Sequence, residues 1–361
     1  MQRTLLPPKP QGAQSLVTEI QFGIELEFLT PPVSVSQASQ GVSSRDRIFH
    51  YFASALQRSG LQAAFLLDKD HTEKNSEDGE ENQLRANAPK GSIVKTKHNH
   101  DMYTMNPLSS AQWLKVGAEK NPLFRYWLVK AESDVCGHGK HADWQPTELN
   151  SPILRESEAN NLFPGTNTAL YAVWTAHPAK VHVNESCGLH IHVSPASPGG
   201  LTTLQAQRVA TLVIILEDNL LFHLCLPVRR RVHHQLIKAS VLANAKSSTP
   251  SPFAEANLPL NILNSNSAMS KAAKLLWSAS DLDQVRQMLA RHAKIRDARF
   301  TALKVSTHTH EDDSCTHTLE FRHAQASFNH NFVNNWVRLV LTVCKVAFLP
   351  TERYRLVVAM L

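Results

Sequence analysis

Three short runs of this chain carry metal- or phosphate-competent residues at a spacing of two. They are Glu25 and Glu27 in FGIELEF, His190 and His192 in CGLHIHVS, and Glu320 and Arg322 in TLEFRH. In a β-strand, alternate side chains share a face. Ile24, Leu26 and Phe28 then oppose Glu25 and Glu27. Leu189, Ile191 and Val193 oppose His190, His192 and Ser194, and Leu319 and Phe321 oppose Glu320 and Arg322. Adjacent carboxylates on one face repel each other unless solvent or a cation holds them. Taken singly, each run has a bland reading: ExE and ExR suit a solvated strand, and HxH suits metal, phosphate or plain structure. If the three polar faces converge, they supply three carboxylates, two imidazoles and a guanidinium. Such a set suits divalent cations and a phosphorylated ligand, with the oxygen-rich donors favouring Mg²⁺ over zinc. Arg322 would serve as a bidentate phosphate clamp.

Regular elements must position these residues. Residues 1–17, with three prolines by position 10, read as a flexible lead-in to a single domain over 18–361. A strand over TEIQFGIELEFLT precedes an amphipathic helix in SRDRIFHYFASALQRSG. Ile48, Phe49, Phe52, Ala53 and Leu56 share one face of that helix, with Ser44 as N-cap and Gly60 as stop. Residues 68–101 are acidic and then basic, with few apolar residues, which predicts a mobile surface insertion. Strand character resumes over Tyr126–Ala131, and TELNSPIL is a second extended piece. Helices are expected over Glu158–His177, interrupted at PGT, and over Thr203–Leu226. The polar stretch 245–270 reads as a lid, and short helices cover 269–297. Two strands flank the turn EDDS, and the helix in NHNFVNNWVRLVLTVCKVAF closes the chain. The pattern is α+β, with strands expected to pair antiparallel.

Composition narrows the function classes. The 361 residues are 42% hydrophobic and 19% charged, as in soluble globular enzymes. The net charge of +6 and pI near 9.1 favour small anionic ligands. The basic residues are too dispersed for a nucleic-acid face, and Arg229–Arg231 is too short to make one. The longest apolar run is broken by Glu217 and Asp218 and reads as a buried helix rather than a membrane span. The five cysteines are widely spaced and contain no CxxC, and the N-terminus has no signal-peptide core. A reducing, cytoplasmic setting is expected.

The runs FGIELEF, CGLHIHVS and LEFRHAQAS resemble the signature strands of the fungal amidoligases. These belong to the carboxylate–amine ligase superfamily, with glutamine synthetase and the glutamate–cysteine ligases. WLVKAESDV and ELNSPI resemble the two intervening strands and follow in the same order. The resemblance implies a curved antiparallel sheet that cups an active site, as in glutamine synthetase. It also implies ATP and Mg²⁺, phosphorylation of a small-molecule carboxylate to an acyl phosphate, and displacement of phosphate by an amine. Substrates would be peptide-like or of secondary-metabolite type. Carried over residue by residue, Glu25 and Glu27 would each hold one Mg²⁺. His190 and Glu320 would complete the first site, and Glu148 would join Glu27 at the second. His192 and Arg322 would contact the ATP phosphates and the transferring phosphoryl group. Two departures stand out. In KAESDV, either Glu132 or Asp134 could stand in for the family's aspartate, and Ala326, Ser327 and Phe328 replace a Gly-Thr-Leu.

Two other functions compete. An oxygenase or hydrolase built on HxH would need an acidic ligand shortly afterwards, and VSPASPGG supplies none. A non-catalytic binding protein would not need every carried-over ligand intact. The runs HNH (98–100), CGHGKH (136–141, with Cys136, His138 and His141) and HTHE (308–311) lack four ligands at structural zinc spacing. Cys187, beside the histidine strand, reads as a small buried residue.

Overall fold

A computed structural model describes residues 19–32, 44–67, 87–96, 100–106, 122–176, 180–197, 199–292, 300–310 and 314–361. The lead-in 1–17 lies outside the described residues, as does most of the expected insertion.

Alternating β-branched and aromatic residues build a ten-stranded sheet. Its strands are β1 (Ile20–Thr30), β2 (Ala63–Leu66), β3 (Ile93–Lys95), β4 (Asp101–Thr104), β5 (Trp127–Ala131), β6 (Gln145–Asn150), β7 (Leu154–Arg155) and β8 (Gly188–Pro195). A two-residue pair, β9 (His233–His234) and β10 (Phe300–Thr301), stands apart. β11 (Leu303–Thr309) and β12 (Cys315–Gln325) complete the main sheet. The order is β11-β12-β8-β1-β6-β5-β2-β4-β3, with β7 also on β1. Every pairing in this sheet is antiparallel except β2 with β5. The protein is thus α+β, with a large, mostly antiparallel sheet packed by helices. The three motif strands, β12, β8 and β1, are neighbours at its centre, and β6 lies next to them.

The apolar face of these strands is the core. Ile24, Leu26, Leu189, Ile191, Val193, Leu319 and Phe321 are all at most 3% exposed. The helix His330–Ala347 packs on β8, and the helix Ser44–Arg58 packs on β2 and β5. That second helix starts at Ser44 and stops before Gly60, whose φ of +85° suits the left-handed turn that ends it.

Three expected elements differ. The helix expected over 158–177 is two helices, Glu156–Asn160 and Pro164–Trp174. Proline cannot continue a helix interior, and Leu162 and Phe163 take positive φ to make the corner, with Phe163 fully buried. The helix expected over 203–226 ends at Leu216. Beyond it the buried Glu217 carboxylate accepts the Leu236 N–H at 2.8 Å and meets His323 at 3.3 Å, which turns the chain inward. Within 68–101, residues 93–95 and 101 join the sheet edge as β3 and the start of β4. The segment 245–270 contains the helices Pro252–Asn257 and Leu260–Leu263, with Ala254, Leu258 and Leu263 in the core. Arg208 donates to Asn257 Oδ1 at 3.0 Å and ties it to the body. No helix among the described residues is long and apolar enough to cross a membrane.

Candidate active site

Antiparallel register brings the motif residues face to face. Glu25 pairs with His190, Glu27 with Glu148, and His192 with Glu320. A bulge on β12 between Phe321 and Ala324 sets two residues, Arg322 and His323, against one on β8. Arg322 lies 3.2 Å from Glu320, while His323 meets Glu217 at 3.3 Å, away from the cluster.

The cluster contains two groups of three ligands. In each, one ligand atom per residue lies within 4.8 Å of the others. The first group is Glu25, His192 and Glu320; the second is Glu27, Glu132 and Glu148. His192 Nε2 is 3.1 Å from Glu25 and 3.7 Å from Glu320. His190 sits between the groups, 3.4 Å from Glu25, 3.6 Å from Glu27 and 3.7 Å from Glu320. Both histidines of the HxH strand therefore stand within reach of Glu25 and Glu320. Between the two acids of KAESDV, it brings Glu132 into the cluster, whereas Asp134 is exposed and lines a nearby cavity.

Several groups at the site carried no motif. Lys130 sits opposite Glu148 across β5 and β6, with Nζ 3.1 Å from the carboxylate. Lys304 sits opposite Glu320, at 2.8 Å, and the Ser306 hydroxyl donates to Glu320 as well. Alternation along WLVKAE already placed Lys130 and Glu132 on one face, so that pair was legible. Arg229, from the short RRR run, is fully buried and donates to the carbonyls of Glu185, Cys187 and Arg322. Gly188 donates its N–H to Glu27 Oε2 at 2.6 Å. A Cβ there would lie 2.5 Å from His190 Nε2 and 2.8 Å from Arg229, so any side chain at this position would displace both. The Thr318 hydroxyl bridges His192 Nδ1 at 3.0 Å and His308 Nε2 at 3.1 Å.

The electrostatics of the two groups differ. Burial pushes the Glu25 carboxyl up, but the His192 charge and hydrogen bonds from His190 and His192 outweigh it, and Glu25 is held well below the usual range. Burial also opposes ionisation of Glu320, yet His192, Lys304 and Arg322 bring it down to about 2 against the repulsion of Glu25. His192 is raised despite burial by Glu25 and Glu320. His308 falls to about 4 through burial and the charge of His192. These opposite shifts favour a polarity in which His192 donates to Thr318 and Thr318 donates to His308. In the second group, burial and then the Glu25 charge push Glu148 well above the carboxylate range despite Lys130. Glu148 shares a hydrogen bond with Glu132, whose carboxyl is lowered, against burial, by that bond.

Two cavities border the cluster. One of about 730 Å³ touches Glu25, His192 and Lys130 and has an apolar wall that includes Phe22, Phe49, Phe124 and Leu128. Another of about 240 Å³ is lined mostly by charged and polar residues, among them Glu27, Arg322, His233 and Arg231. No residue of 245–270 lines either. The donor set fits hard divalent cations. Five carboxylates stand in the two groups, and the buried Nε2 atom of His190 has no hydrogen-bond partner in the protein.

Fold and site define an α+β protein whose antiparallel sheet carries a carboxylate–imidazole cluster suited to divalent cations. The chain belongs to the amidoligase family, since residues 18–256, well over half of it, match the family described as "Putative amidoligase enzyme". No curated protein matches the chain. Among solved structures, a crystal structure described as a novel glutamine synthase homolog is 10% identical, with a TM-score of 0.35. It covers 95% of this chain and 61% of its own. The cryo-EM structure of Plasmodium falciparum glutamine synthetase is 10% identical, with a TM-score of 0.30, and covers 91% of this chain and 52% of its own. The chain thus spans less than two thirds of either structure.

Proposed function

We propose that the protein is an ATP- and Mg²⁺-dependent carboxylate–amine ligase that forms an amide through an acyl phosphate. The observation that carries this reading is the meeting of two three-ligand groups with Arg322 at their border. Glu25, Glu320 and a histidine would hold one cation, and Glu27, Glu132 and Glu148 the other. When bound, the cations neutralise phosphate charge and polarise the transferring group.

The chain's own residues do the rest. Arg322 and charged His192 bind the phosphate oxygens of the nucleotide and stabilise charge on the transferring phosphoryl group. Lys130 and Lys304 keep neighbouring carboxylates ionised or paired, so that the cluster stays ordered. The large cavity, with its apolar wall beside Glu25 and His192, suits a nucleotide base and ribose. The small cavity beside Glu27 and Arg322 suits the carboxylate and the amine and limits water around the acyl phosphate.

The test is incubation with ATP, Mg²⁺ and pooled carboxylates and amines, with nucleotide products and new masses followed. Carboxylate-dependent ADP and phosphate, abolished by Glu27→Gln and by Arg322→Ala, is the expected result. AMP and pyrophosphate would overturn the acyl-phosphate route. Absence of nucleotide turnover, together with tight Fe²⁺ or Zn²⁺ binding, would favour the HxH oxygenase or hydrolase.

A further inference from the structure

The small cavity carries a second kind of chemistry. Cys136 and His138 line it together with Glu27 and Arg322. Cys136 Sγ lies 3.5 Å from His138 Nε2, and that nitrogen lies 3.9 Å from Glu185 Oε1. The backbone of Cys136 is clamped on both sides. Its N–H donates to Ser186 Oγ at 3.2 Å, and its carbonyl accepts from Asn184 Nδ2 at 2.8 Å and from Ser186 Oγ at 3.3 Å. Asn184 and Ser186 lie four and two residues before Gly188, which holds Glu27, so one loop sets both the thiol and the cluster. Gly137 allows the turn between the pair. A Cβ there would lie 1.7 Å from the His141 carbonyl oxygen, and backbone cannot yield that far.

The other thiols mark the contrast. Burial pushes Cys187 up to about 11 and Cys225 up to about 12, and raises Cys344 further. Such buried thiols are inert. Cys315 is exposed at the start of β12 and lines neither cavity. Cys136 alone combines partial exposure, an imidazole within contact and a cavity wall with Arg231, Arg322 and His233, alongside the acids Asp134 and Glu185. Partly exposed thiols beside imidazole and cationic groups are the nucleophilic ones.

We propose that Cys136, with His138 as its base, accepts the acyl group from the acyl phosphate and passes it to the amine as a thioester. This rests on the ligase reading above. In the first step His138 Nε2 takes the thiol proton and sulfur bonds to the carbonyl carbon. The carbon–oxygen bond to phosphate breaks, and the departing phosphate receives the proton from His138. In the second step the amine nitrogen bonds to the carbonyl carbon, and His138 takes the amine proton. The carbon–sulfur bond breaks, and His138 returns the proton to the thiolate.

Two arms on the full chain test this. Iodoacetamide labelling at pH 7, mapped by mass spectrometry, is expected to modify Cys136 about tenfold faster than Cys315. His138→Gln is expected to slow Cys136 by a similar factor and leave Cys315 unchanged. Acetyl phosphate, supplied without ATP, is expected to leave an acetyl group on the Cys136 peptide that neutral hydroxylamine removes, and none in Cys136→Ala. Equal labelling rates at the two thiols, or no acetyl group on Cys136, overturns the assignment. If both arms succeed while carboxylate-dependent ADP formation is absent, the ligase reading fails and the nucleophile stands. Unchanged thermal unfolding of the variants separates these effects from misfolding.

Discussion

The two ligand groups share a strand and differ in charge balance. Glu25 and Glu320 stand among His192, Lys304 and Arg322, and both carboxyls are ionised. Glu27, Glu132 and Glu148 have Lys130, Arg229 beside Glu27 and the Gly188 N–H, and burial with the Glu25 charge holds the Glu148 carboxyl well above the usual range. The difference is the number of cations within reach of each set of acids. Where cations match carboxylates, the group is preformed and its acids are held in the ionised form without a metal. Where they do not, the raised carboxyl favours a proton in place of the missing charge, and on the proposed function that proton would leave for a cation to bind.

The sharpest way to break this comparison is to remove the compensated acid. Glu320→Gln should lower turnover by about 10³-fold or more, because His192, Lys304 and Arg322 lose their common partner. Metal titration of the same variant should keep binding at the second group, and loss of both sites together would show that the groups are not separable.

Glu148→Gln attacks the other side. It should weaken divalent-cation binding about 10- to 100-fold. In the parent protein, calorimetry in two buffers of different ionisation enthalpy should show proton release on metal binding, and the variant should release less. The pH sign follows from the raised carboxyl. Its contribution to metal-free stability is fully present below the unfolded-state value and is lost as pH rises through the folded value. Thermal unfolding of the metal-free protein should therefore show a decline with rising pH that is shallower in Glu148→Gln. Mg²⁺ should protect more at higher pH.

Gly188→Ala acts at the seam between the groups. The added carbon would press on His190 Nε2, Arg229 and Glu27, at 2.5, 2.8 and 3.1 Å. A cost of about 1–3 kcal/mol in chemical denaturation is expected. The mildest change is Thr318→Val, which removes the bridge between His192 and His308. It should reduce turnover about fivefold, in line with the loss of one orienting hydrogen bond of about 1 kcal/mol, and Thr318→Ser should restore it. A valine variant with full activity would remove the bridge from the argument.

Much of the site was legible because strand alternation is a local rule. It put Glu25 with Glu27, His190 with His192, and Glu320 with Arg322, and the structure keeps each pair on the cluster side of the sheet. Lys130 and Glu132 were legible by the same rule but carried no motif to draw attention. Lys304 and Thr318 were not, because their roles come from cross-strand neighbours that local sequence does not specify. Cys136 and His138 were visible as zinc-like pieces. Their place beside Glu27 depends on the loop Asn184–Ser186, which lies 48 and 50 residues away by hydrogen bond.

What the sequence determined by itself was the two-faced character of each strand, since period-two alternation needs no partner. The tertiary structure decided which faces meet. It set the order β12-β8-β1-β6 and a register pairing His192 with Glu320. It also produced the β12 bulge, which separates Arg322 from His323, so that Arg322 meets Glu320 in the cluster and His323 meets the buried Glu217. The meeting of His192 with Glu25 and Glu320, and of Glu132 with Glu27 and Glu148, follows from those long-range choices. Side-chain distances across a sheet are fixed by strand order and register, and both are settled by the packing of the whole core.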